Sequence, residues 1–561
     1  MNQKSLQFCV VLGLGLLSVL WHLDISLFVE DEGLYAAIID RTFTQANPFH
    51  LELYGQRYLN KPPLFFWMES LASTYFTPLV GSIEVALRLP ESMFSLGTLL
   101  LTYHLGVILF SPLAGFWAGV VVATTFLFYW YGRLVLMDPG LTFFMTAGMY
   151  CWARAYFLEK QSWWYVVGFV FLAGGTMFKA AHALLLPSLT LLVYFAWQWE
   201  WSALRRWPVY VGLFVFLAMV VPYYWVLGPE FRENFFFKES LDRVVTDTIG
   251  NQPFHYYLRV MWFDFFPWSV LIPSTFVLLW YARPFGPKSK ELFLLVWMLA
   301  YFAAFSVAHG KTERYLLPIV PPVALAIGYF YHSVLADPRQ KIQCERLLKI
   351  LLGIFCLVNV VGLVAGPAIL EWQRGISLEA FPLPYIMVMI GLTLWLMWHV
   401  ISSRIHIALK GLGVIAAGWM LGIIGFLLPA MDMAGSPRTM FLETKALLPH
   451  PNDFILTFQH WDWRGDEDLY YWQYRHPGAN IIGYQKEFGQ AVQELRELVI
   501  RKGQVVILMT YEQFAKLEGA QVALKVERFR YLNRGKHKIV LVRVVRDSEK
   551  IFDTHRRIED G

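Results

Sequence analysis

Residues 208–227 read PVYVGLFVFLAMVVPYYWVL, twenty residues without a single charged side chain. A run of this length and composition is typical of a helix that crosses a bilayer, because the hydrocarbon core needs about 20 apolar residues to span it. The whole chain agrees, since 57% of its 561 residues are hydrophobic and only 16% are charged, against about 25% charged in soluble domains. The sequence therefore predicts a polytopic α-helical membrane protein. It argues against a soluble enzyme, a disordered chain and a nucleic-acid-binding protein.

Similar apolar runs recur and predict about thirteen transmembrane helices. They lie near 7–27, 93–110, 114–131, 140–158, 163–178, 182–198, 208–227, 266–281, 291–308, 316–335, 347–370, 383–400 and 408–430. Short Lys and Arg clusters occupy alternate loops, which identifies that side as cytoplasmic. The alternation places the N-terminus inside, the C-terminus outside, and the long segments 28–92 and 229–265 outside as loops.

The composition changes after Ala434. Residues 453–547 are polar and charged, with short strand-like apolar runs and helix-like amphipathic segments between them. This pattern predicts a small α/β domain on the outer side. We therefore divide the chain into a membrane domain, 1–432, and a C-terminal α/β domain, 433–561.

Ionisable residues are rare on the predicted outer side, yet they fall at helix ends, where their burial is costly and often functional. Glu30, Asp31 and Glu32 follow the first span directly. Three adjacent carboxylates repel one another, so one of them is a candidate general base or metal ligand. The alternative is a solvated, negatively charged helix end.

Lys61 precedes Pro62 and Pro63, which fix the local backbone and hold the Lys61 side chain at a defined place. A fixed ammonium is suited to bind a phosphate, although an ordinary turn with an interfacial lysine gives the same pattern. Glu84 and Arg88, four residues apart, suit one helix face.

Further charges lie at the other outer corners. Asp138 precedes Pro139, either as a helix cap or as a functional acid, and Lys179 lies between two later spans. Other candidates are Arg243, Lys311 and Arg314. Acids and bases on one side of the membrane are the groups needed to hold an anionic phosphate and to activate a hydroxyl.

The motifs resemble those of the bacterial aminoarabinose transferases, which modify lipid A and form part of the wider polyprenyl-phosphate-sugar and protein mannosyltransferase group. The resemblance covers roughly residues 5–330. The matching residues are Asp31-Glu32 with Tyr35, Arg57-Tyr58, Lys61-Pro62-Pro63-Leu64, Arg88-Leu89-Pro90, Asp138, Lys179, Glu239, Arg243, and Lys311 with Tyr315-Leu316-Leu317-Pro318.

This resemblance implies a type-C glycosyltransferase fold and a bacterial inner-membrane enzyme that moves a sugar from undecaprenyl phosphate to lipid A or another periplasmic acceptor, with inversion. It implies Asp31 as the catalytic carboxylate, with Glu32 beside it and Asp138 as a second acidic position. The resemblance also implies that Lys61 contacts the donor phosphate. The other implied substrate-binding residues are Tyr35, Arg57, Tyr58, Arg88, Lys179, Arg243, Lys311, Arg314 and Tyr315. No cofactor is required, and Glu84 is the candidate position if a divalent metal binds.

Three other functions stay open. A flippase or transporter for a lipid-linked sugar would also hold an anionic lipid, although it favours charges near the midplane of broken helices and internal repeats. A protein O-mannosyltransferase-like enzyme would use the same chemistry on protein hydroxyls. A non-enzymatic envelope scaffold would leave the charged outer corners without a purpose.

Overall fold

The structure is a computed structural model of the chain. It describes residues 2–26, 30–43, 47–53, 56–158, 162–241, 252–282, 286, 288–336, 345–374, 376, 381–435, 438, 455–458, 480–482, 488–502, 504–510, 524–534 and 537–546. The chain forms two compact units. The first comprises Met1–Asp24, Arg41–Gly366 and Phe381–Leu427, and the second comprises Ile25–Asp40, Pro367–Ala380 and Leu428–Gly561.

The described residues are mostly helical. The α-helices are α1 (Gln3–Leu20), α2 (Glu30–Arg41), α3 (Leu64–Val80), α4 (Ile83–Leu109), α5 (Pro112–Thr124), α6 (Phe126–Tyr131), α7 (Met137–Leu158), α8 (Trp163–Phe178), α9 (His182–Gln198), α10 (Trp207–Val226), α11 (Pro229–Glu233), α12 (Tyr256–Asp264), α13 (Ile272–Tyr281), α14 (Lys290–Val307), α15 (Val320–Leu335), α16 (Glu345–Arg374), α17 (Leu383–Ile401), α18 (Ile405–Gly422), α19 (Leu428–Gly435) and α20 (Phe488–Lys502). Short 3₁₀ segments cover Trp201–Arg205, Trp268–Leu271 and Glu313–Ile319, and π-helical turns cover Asn234–Leu241 and Ile423–Leu427.

Eight helical segments in the described residues are long and apolar enough to cross a membrane. The bent pair Tyr256–Asp264 and Trp268–Tyr281 adds a ninth if it counts as one span, and α5, α8 and α9 are shorter apolar helices. A helix is present at each of the thirteen segments predicted from the sequence. The chain is thus a multi-pass membrane protein, and thirteen remains the predicted number of crossings.

Small residues bring the helices of the first unit close together. Helix α4 packs against α5 and α7, and α5 packs against α15. A Cβ atom on Gly106 of α4 would lie 2.8 Å from the Gly115 Cα of α5. Close approach through small residues is a common way to pack helices in lipid, where burial of apolar surface gives no drive for association.

The segment 28–92, predicted as an outer loop, contains regular structure. It holds α2, a two-residue hairpin of β1 (Glu52–Leu53) and β2 (Gln56–Arg57), and α3. Helix α4 begins at Ile83, ten residues before the predicted span, because Ser82 caps its N-terminus by accepting a hydrogen bond from Val85 N. Glu84 and Arg88 therefore lie within its first two turns.

The second unit contains a five-stranded sheet. Its strands are β3 (Ile455–Phe458), β4 (Asn480–Ile482), β5 (Gln504–Thr510), β6 (Leu524–Arg534) and β7 (His537–Arg546), in the order β4-β3-β5-β7-β6. β3 pairs in parallel with β4 and β5, whereas β7 pairs antiparallel with β5 and β6. Helix α20 leads into β5.

Within the second unit, Asp432 of α19 is linked to the stretch before α2. It accepts hydrogen bonds from Ser26 N, at 3.1 Å, and from Ser26 Oγ. Residues 25–40 therefore group with the C-terminal part of the chain. The composition of the sequence predicts a domain boundary at 432/433, and this boundary stays a prediction. The compact units of the structure divide the chain at other positions.

Candidate active site

A buried ion pair joins the N-terminus of α7 to the C-terminus of α8. Lys179 Nζ lies 2.5 Å from Asp138 Oδ1, and the two side chains are 12% and 6% exposed. Asp138 occupies the first turn of α7, and Lys179 caps the end of α8. An acid at a helix N-terminus and a base at a C-terminus each complement the helix dipole. The fold thus stabilises both charges where it brings them together.

The 3₁₀ segment before α15 adds two more groups to this pair. Arg314 Nε lies 3.8 Å from Asp138 Oδ2. The ammonium of Lys179 lies 5.1 Å from the ring centroid of Tyr315, within range of a cation–π contact. One carboxylate therefore lies beside two cations, and one of these cations, Lys179, lies over the Tyr315 ring. We call Asp138, Lys179, Arg314 and Tyr315 the cationic corner.

The segment that carries Lys61 and the segment that carries Lys179 both pack against Tyr223 and its neighbouring apolar residues. Tyr223 Oη accepts a hydrogen bond from Leu64 N at 3.0 Å and donates one to Met177 O at 3.2 Å. The apolar cluster around Tyr223 also contacts Leu59 and Ala180, so the residues that flank Lys61 and those that flank Lys179 pack on the same surface. The ammoniums of Lys61 and Lys179 are both close enough to His182 to interact with it electrostatically.

Two carboxylic acids lie in the protein interior beside the cationic corner. Glu69 of α3 and Glu91 of α4 are 1% and 0% exposed, and Glu91 Oε2 accepts a hydrogen bond from Gly140 N at 2.9 Å. Burial raises the pKa of the Glu69 carboxyl well above its usual range, and the nearby Glu91 carboxylate raises it further. Burial thus favours the neutral form of the Glu69 carboxyl.

A second acidic group includes Glu313, the residue that precedes Arg314 in the chain. Tyr256 Oη donates to Glu313 Oε1 at 2.7 Å. Asp264, at the end of α12, is 4% exposed, and its charge interacts with that of Glu313.

Several predicted binding residues make other contacts. Arg57 Nη1 lies 2.6 Å from Glu230 Oε2 in an exposed ion pair. Arg88 is buried and donates to Leu23 O at 3.1 Å. Lys311 donates to Gln252 O at 2.9 Å, and partial burial lowers the pKa of its ammonium. Tyr58 packs edge-on against Phe66.

The predicted acids of α2 lie in the second compact unit. Asp31 is half-buried, Glu32 is fully buried, and Tyr35 is 6% exposed. Arg243 lies outside the described residues.

Glu84, the candidate metal position, accepts a hydrogen bond from Ser82 Oγ at 2.8 Å. Across the described ranges, no group of three or more His, Cys, Asp or Glu side chains is placed to hold a metal ion.

The sequence reasoning did not identify Glu69, Glu91, Asp264 or Glu313 as site residues. Two of them carried a signal. Glu91 directly follows the Arg88-Leu89-Pro90 motif, and Asp264 interrupts the aromatic run Trp262-Phe263-Asp264-Phe265-Phe266. An acid inside an apolar segment is costly and calls for an explanation.

Comparison with known proteins agrees with the geometry. Residues 30–234 match the family described as dolichyl-phosphate-mannose-protein mannosyltransferase. A relative from Edwardsiella ictaluri, an undecaprenyl phosphate-alpha-4-amino-4-deoxy-L-arabinose arabinosyl transferase, is 26% identical over 351 residues, 61% of this chain and 62% of the relative. A relative of the same description from Sodalis glossinidius is 25% identical over 80% of this chain and 81% of the relative. The chain thus spans less than two thirds of the first relative's length.

The fold comparison covers nearly the whole chain. The crystal structure of ArnT from Cupriavidus metallidurans bound to undecaprenyl phosphate superposes with a TM-score of 0.72 at 18% identity, over 96% of this chain and 97% of that one. The resemblance inferred from the motifs is confirmed: the chain matches the mannosyltransferase family over residues 30–234, is similar in sequence to the aminoarabinose transferases, and has the fold of ArnT.

Proposed function

We propose that this protein is an integral-membrane glycosyltransferase that moves a sugar from undecaprenyl phosphate to an acceptor hydroxyl. The observation that carries this proposal is the cationic corner, where Asp138 gathers Lys179 and Arg314 at one end of the bundle beside Lys61. Fixed cations in a partly buried site suit a phosphate that gains charge as it leaves. The fold of ArnT and the sequence relatives support the same reaction.

The proposed reaction is a direct displacement with inversion. The acceptor oxygen forms a bond to the anomeric carbon while the bond from that carbon to the phosphate oxygen breaks. The electron pair leaves with undecaprenyl phosphate, whose added negative charge Lys61 stabilises. Asp31 takes the proton of the acceptor hydroxyl as general base. No metal or other cofactor enters this scheme.

We assign Asp138 an orienting role in this reaction. The two oxygens of the Asp138 carboxylate face an ammonium at 2.5 Å and a guanidinium at 3.8 Å, so cations occupy the positions that an acceptor hydroxyl would need. The same contacts fix the direction of Lys179 and Arg314. In this scheme Asp138 holds the cations for the phosphate, and Asp31 remains the base.

The relatives suggest the substrates. Those described above are named for 4-amino-4-deoxy-L-arabinose on undecaprenyl phosphate, so we propose this sugar as the donor's group and lipid A as the first acceptor to test. We further propose the inner membrane as location, a cytoplasmic N-terminus, and a periplasmic C-terminal α/β domain over 433–561. A protein hydroxyl is the alternative acceptor.

A turnover assay tests the proposal. Purified protein is mixed with undecaprenyl-phosphate sugars and with lipid A or peptide acceptors, and the products are identified by mass spectrometry. We expect sugar transfer to one acceptor class, with an inverted anomeric configuration. Binding or flipping of the donor without transfer would identify a transporter instead, and retention of configuration would rule out direct displacement.

Replacing Lys61 by Ala will raise KM for the donor by about 10–100-fold, because a charged hydrogen bond to the phosphate contributes about 1.5–3 kcal/mol. Lys61→Arg keeps the charge and should recover part of the loss. Initial rates over a range of donor concentrations give the result. Lys4→Ala, an exposed lysine near the start of α1, is the matched control, and an unchanged KM in Lys61→Ala would remove Lys61 from the phosphate site.

Substitution of Glu230, which forms an exposed ion pair with Arg57, tests whether Arg57 stabilises the fold or binds the donor. Glu230→Gln should change the free energy of unfolding by no more than about 1 kcal/mol, because exposed ion pairs contribute little. If Arg57 binds the donor phosphate, removing its competitor should also strengthen donor binding at low salt. Titration of both proteins with undecaprenyl phosphate measures this, and weaker binding in Glu230→Gln would count against Arg57 as a donor contact.

A further inference from the structure

The proposed reaction assigns no role to the Glu69 and Glu91 side chains. Both are almost fully buried. If both side chains were carboxylates, three of their four oxygens would lack a hydrogen-bond donor among the described residues. These oxygens are Glu69 Oε1, Glu69 Oε2 and Glu91 Oε1. A single proton on Glu69 accounts for two of the three, since its O–H could then donate to Glu91 Oε1, and it leaves only the carbonyl oxygen of a neutral carboxyl without a donor.

Such a pair is expensive if it serves packing alone. A buried ionised group costs several kcal/mol unless it is paired, and apolar residues of similar volume often replace buried charges without loss of stability. The pair therefore calls for a role that apolar residues could not fill.

The contacts of Glu91 indicate that role. Its second carboxylate oxygen, Oε2, accepts the hydrogen bond from Gly140 N, and Gly140 follows Asp138 by two residues in the first turn of α7. On its other side Gly140 lies against Phe178, since a Cβ atom on Gly140 would be 2.5 Å from the Phe178 ring. Phe178 immediately precedes Lys179. The helical turn that carries Asp138 therefore packs between Glu91 on one side and Phe178 on the other. Phe178 is the neighbour of Lys179, which pairs with Asp138.

The charges around Glu91 fit the same arrangement. The groups that act on it electrostatically are Glu69, Asp138 and Lys179. If Glu91 lost its two hydrogen-bond donors, its bare carboxylate would compete with Asp138 for the Lys179 ammonium. With the donors in place, Glu91 is satisfied and Lys179 stays with Asp138.

We propose that Glu69 and Glu91, sharing one proton, form a positioning clamp that fixes the first turn of α7 through Gly140 and so sets the pose of the Asp138–Lys179 pair. The proposal rests on the proposed glycosyl transfer and adds two positioning residues to it. Neither residue touches the substrate in this scheme.

Four substitutions of similar volume test the clamp. Glu91→Gln keeps an acceptor for Gly140, and Glu69→Gln keeps a donor for Glu91, so both should retain kcat within about threefold. Glu91→Leu removes the acceptor, and Glu69→Leu removes the donor. Each should lower kcat by about 10²-fold, the loss that a misplacement of about 1 Å causes, with little change in KM for the donor.

The rates are taken per folded protein, measured by size-exclusion chromatography in detergent. A purely structural role would reduce the folded yield of the Leu variants while each folded molecule kept the parental kcat, and that result would overturn the proposal. If one Leu variant does not accumulate, the other carries the test. Equal losses in Glu91→Gln and Glu91→Leu would also overturn it, because the amide would then have failed to rescue.

A second readout does not depend on sugar transfer. The shifts in thermal unfolding midpoint for Glu91→Leu and Asp138→Asn should be non-additive in the double variant, because Glu91→Leu removes the acceptor for Gly140 on the same helical turn that carries Asp138. Additive shifts would contradict the clamp. If the parent transfers no sugar, the proposed function has failed, and this coupling still decides whether the clamp exists.

Discussion

Replacing Asp31 by Asn will lower the rate of sugar transfer by about 10²–10⁴-fold, the usual loss when a general base is removed. Asn has nearly the same shape as Asp but cannot accept the proton of the acceptor hydroxyl. We expect binding of undecaprenyl phosphate to stay near the parental value, because this scheme gives the phosphate to Lys61. Single-turnover rates with the donor pre-bound measure the chemical step directly.

Helix α2 provides a matched control for this substitution. Asp40 lies on the same helix and is exposed, so Asp40→Asn makes the same chemical change without touching the proposed base. It should transfer sugar at the parental rate. Near-parental transfer by Asp31→Asn would show that another group takes the proton, and parallel loss of donor binding would indicate a role in phosphate binding instead.

The helical architecture could be read from the sequence because apolar length is a local property. The run 208–227 needs no partner to be recognised, and it lies in α10 of the structure, Trp207–Val226. Where local signals were mixed, the prediction missed structure. The span of α4 was predicted to begin ten residues too late, because its first two turns carry Glu84 and Arg88 and charged residues are typical of a loop.

The site was less accessible to sequence reasoning, because its contacts join residues far apart in the chain. Asp138 beside Pro139 fits a helix cap, and only the packing of α7 against α8 turns its carboxylate towards Lys179, 41 residues later. Glu69 and Glu91 meet through the contact of α3 with α4. A motif match also cannot tell a residue that binds substrate from one that stabilises the fold. Arg88 belongs to a motif, yet its buried side chain donates a hydrogen bond to Leu23 O.

The ion pair of Asp138 and Lys179 gives the largest effect expected on stability. Asp138→Asn leaves the Lys179 ammonium, only 12% exposed, without its partner. Breaking one side of a buried pair typically costs about 3–5 kcal/mol, and we expect a loss of that size in unfolding measurements in detergent. Glu345→Gln, which breaks a more exposed pair (31% and 34%) at a similar distance of 2.6 Å, should cost no more than about 1 kcal/mol.

The double variant Asp138→Asn with Lys179→Gln separates stability from function. Removing both charges takes away the uncompensated ion, so most of the stability should return, with a coupling energy of about 2 kcal/mol between the two sites. Arg314 is 20% exposed and can reach water. Transfer should stay low, because the proposed phosphate contact of Lys179 is gone. A double variant that regained both stability and turnover would show that the pair supports the fold alone, and the phosphate would then have to be held by Lys61 and Arg314.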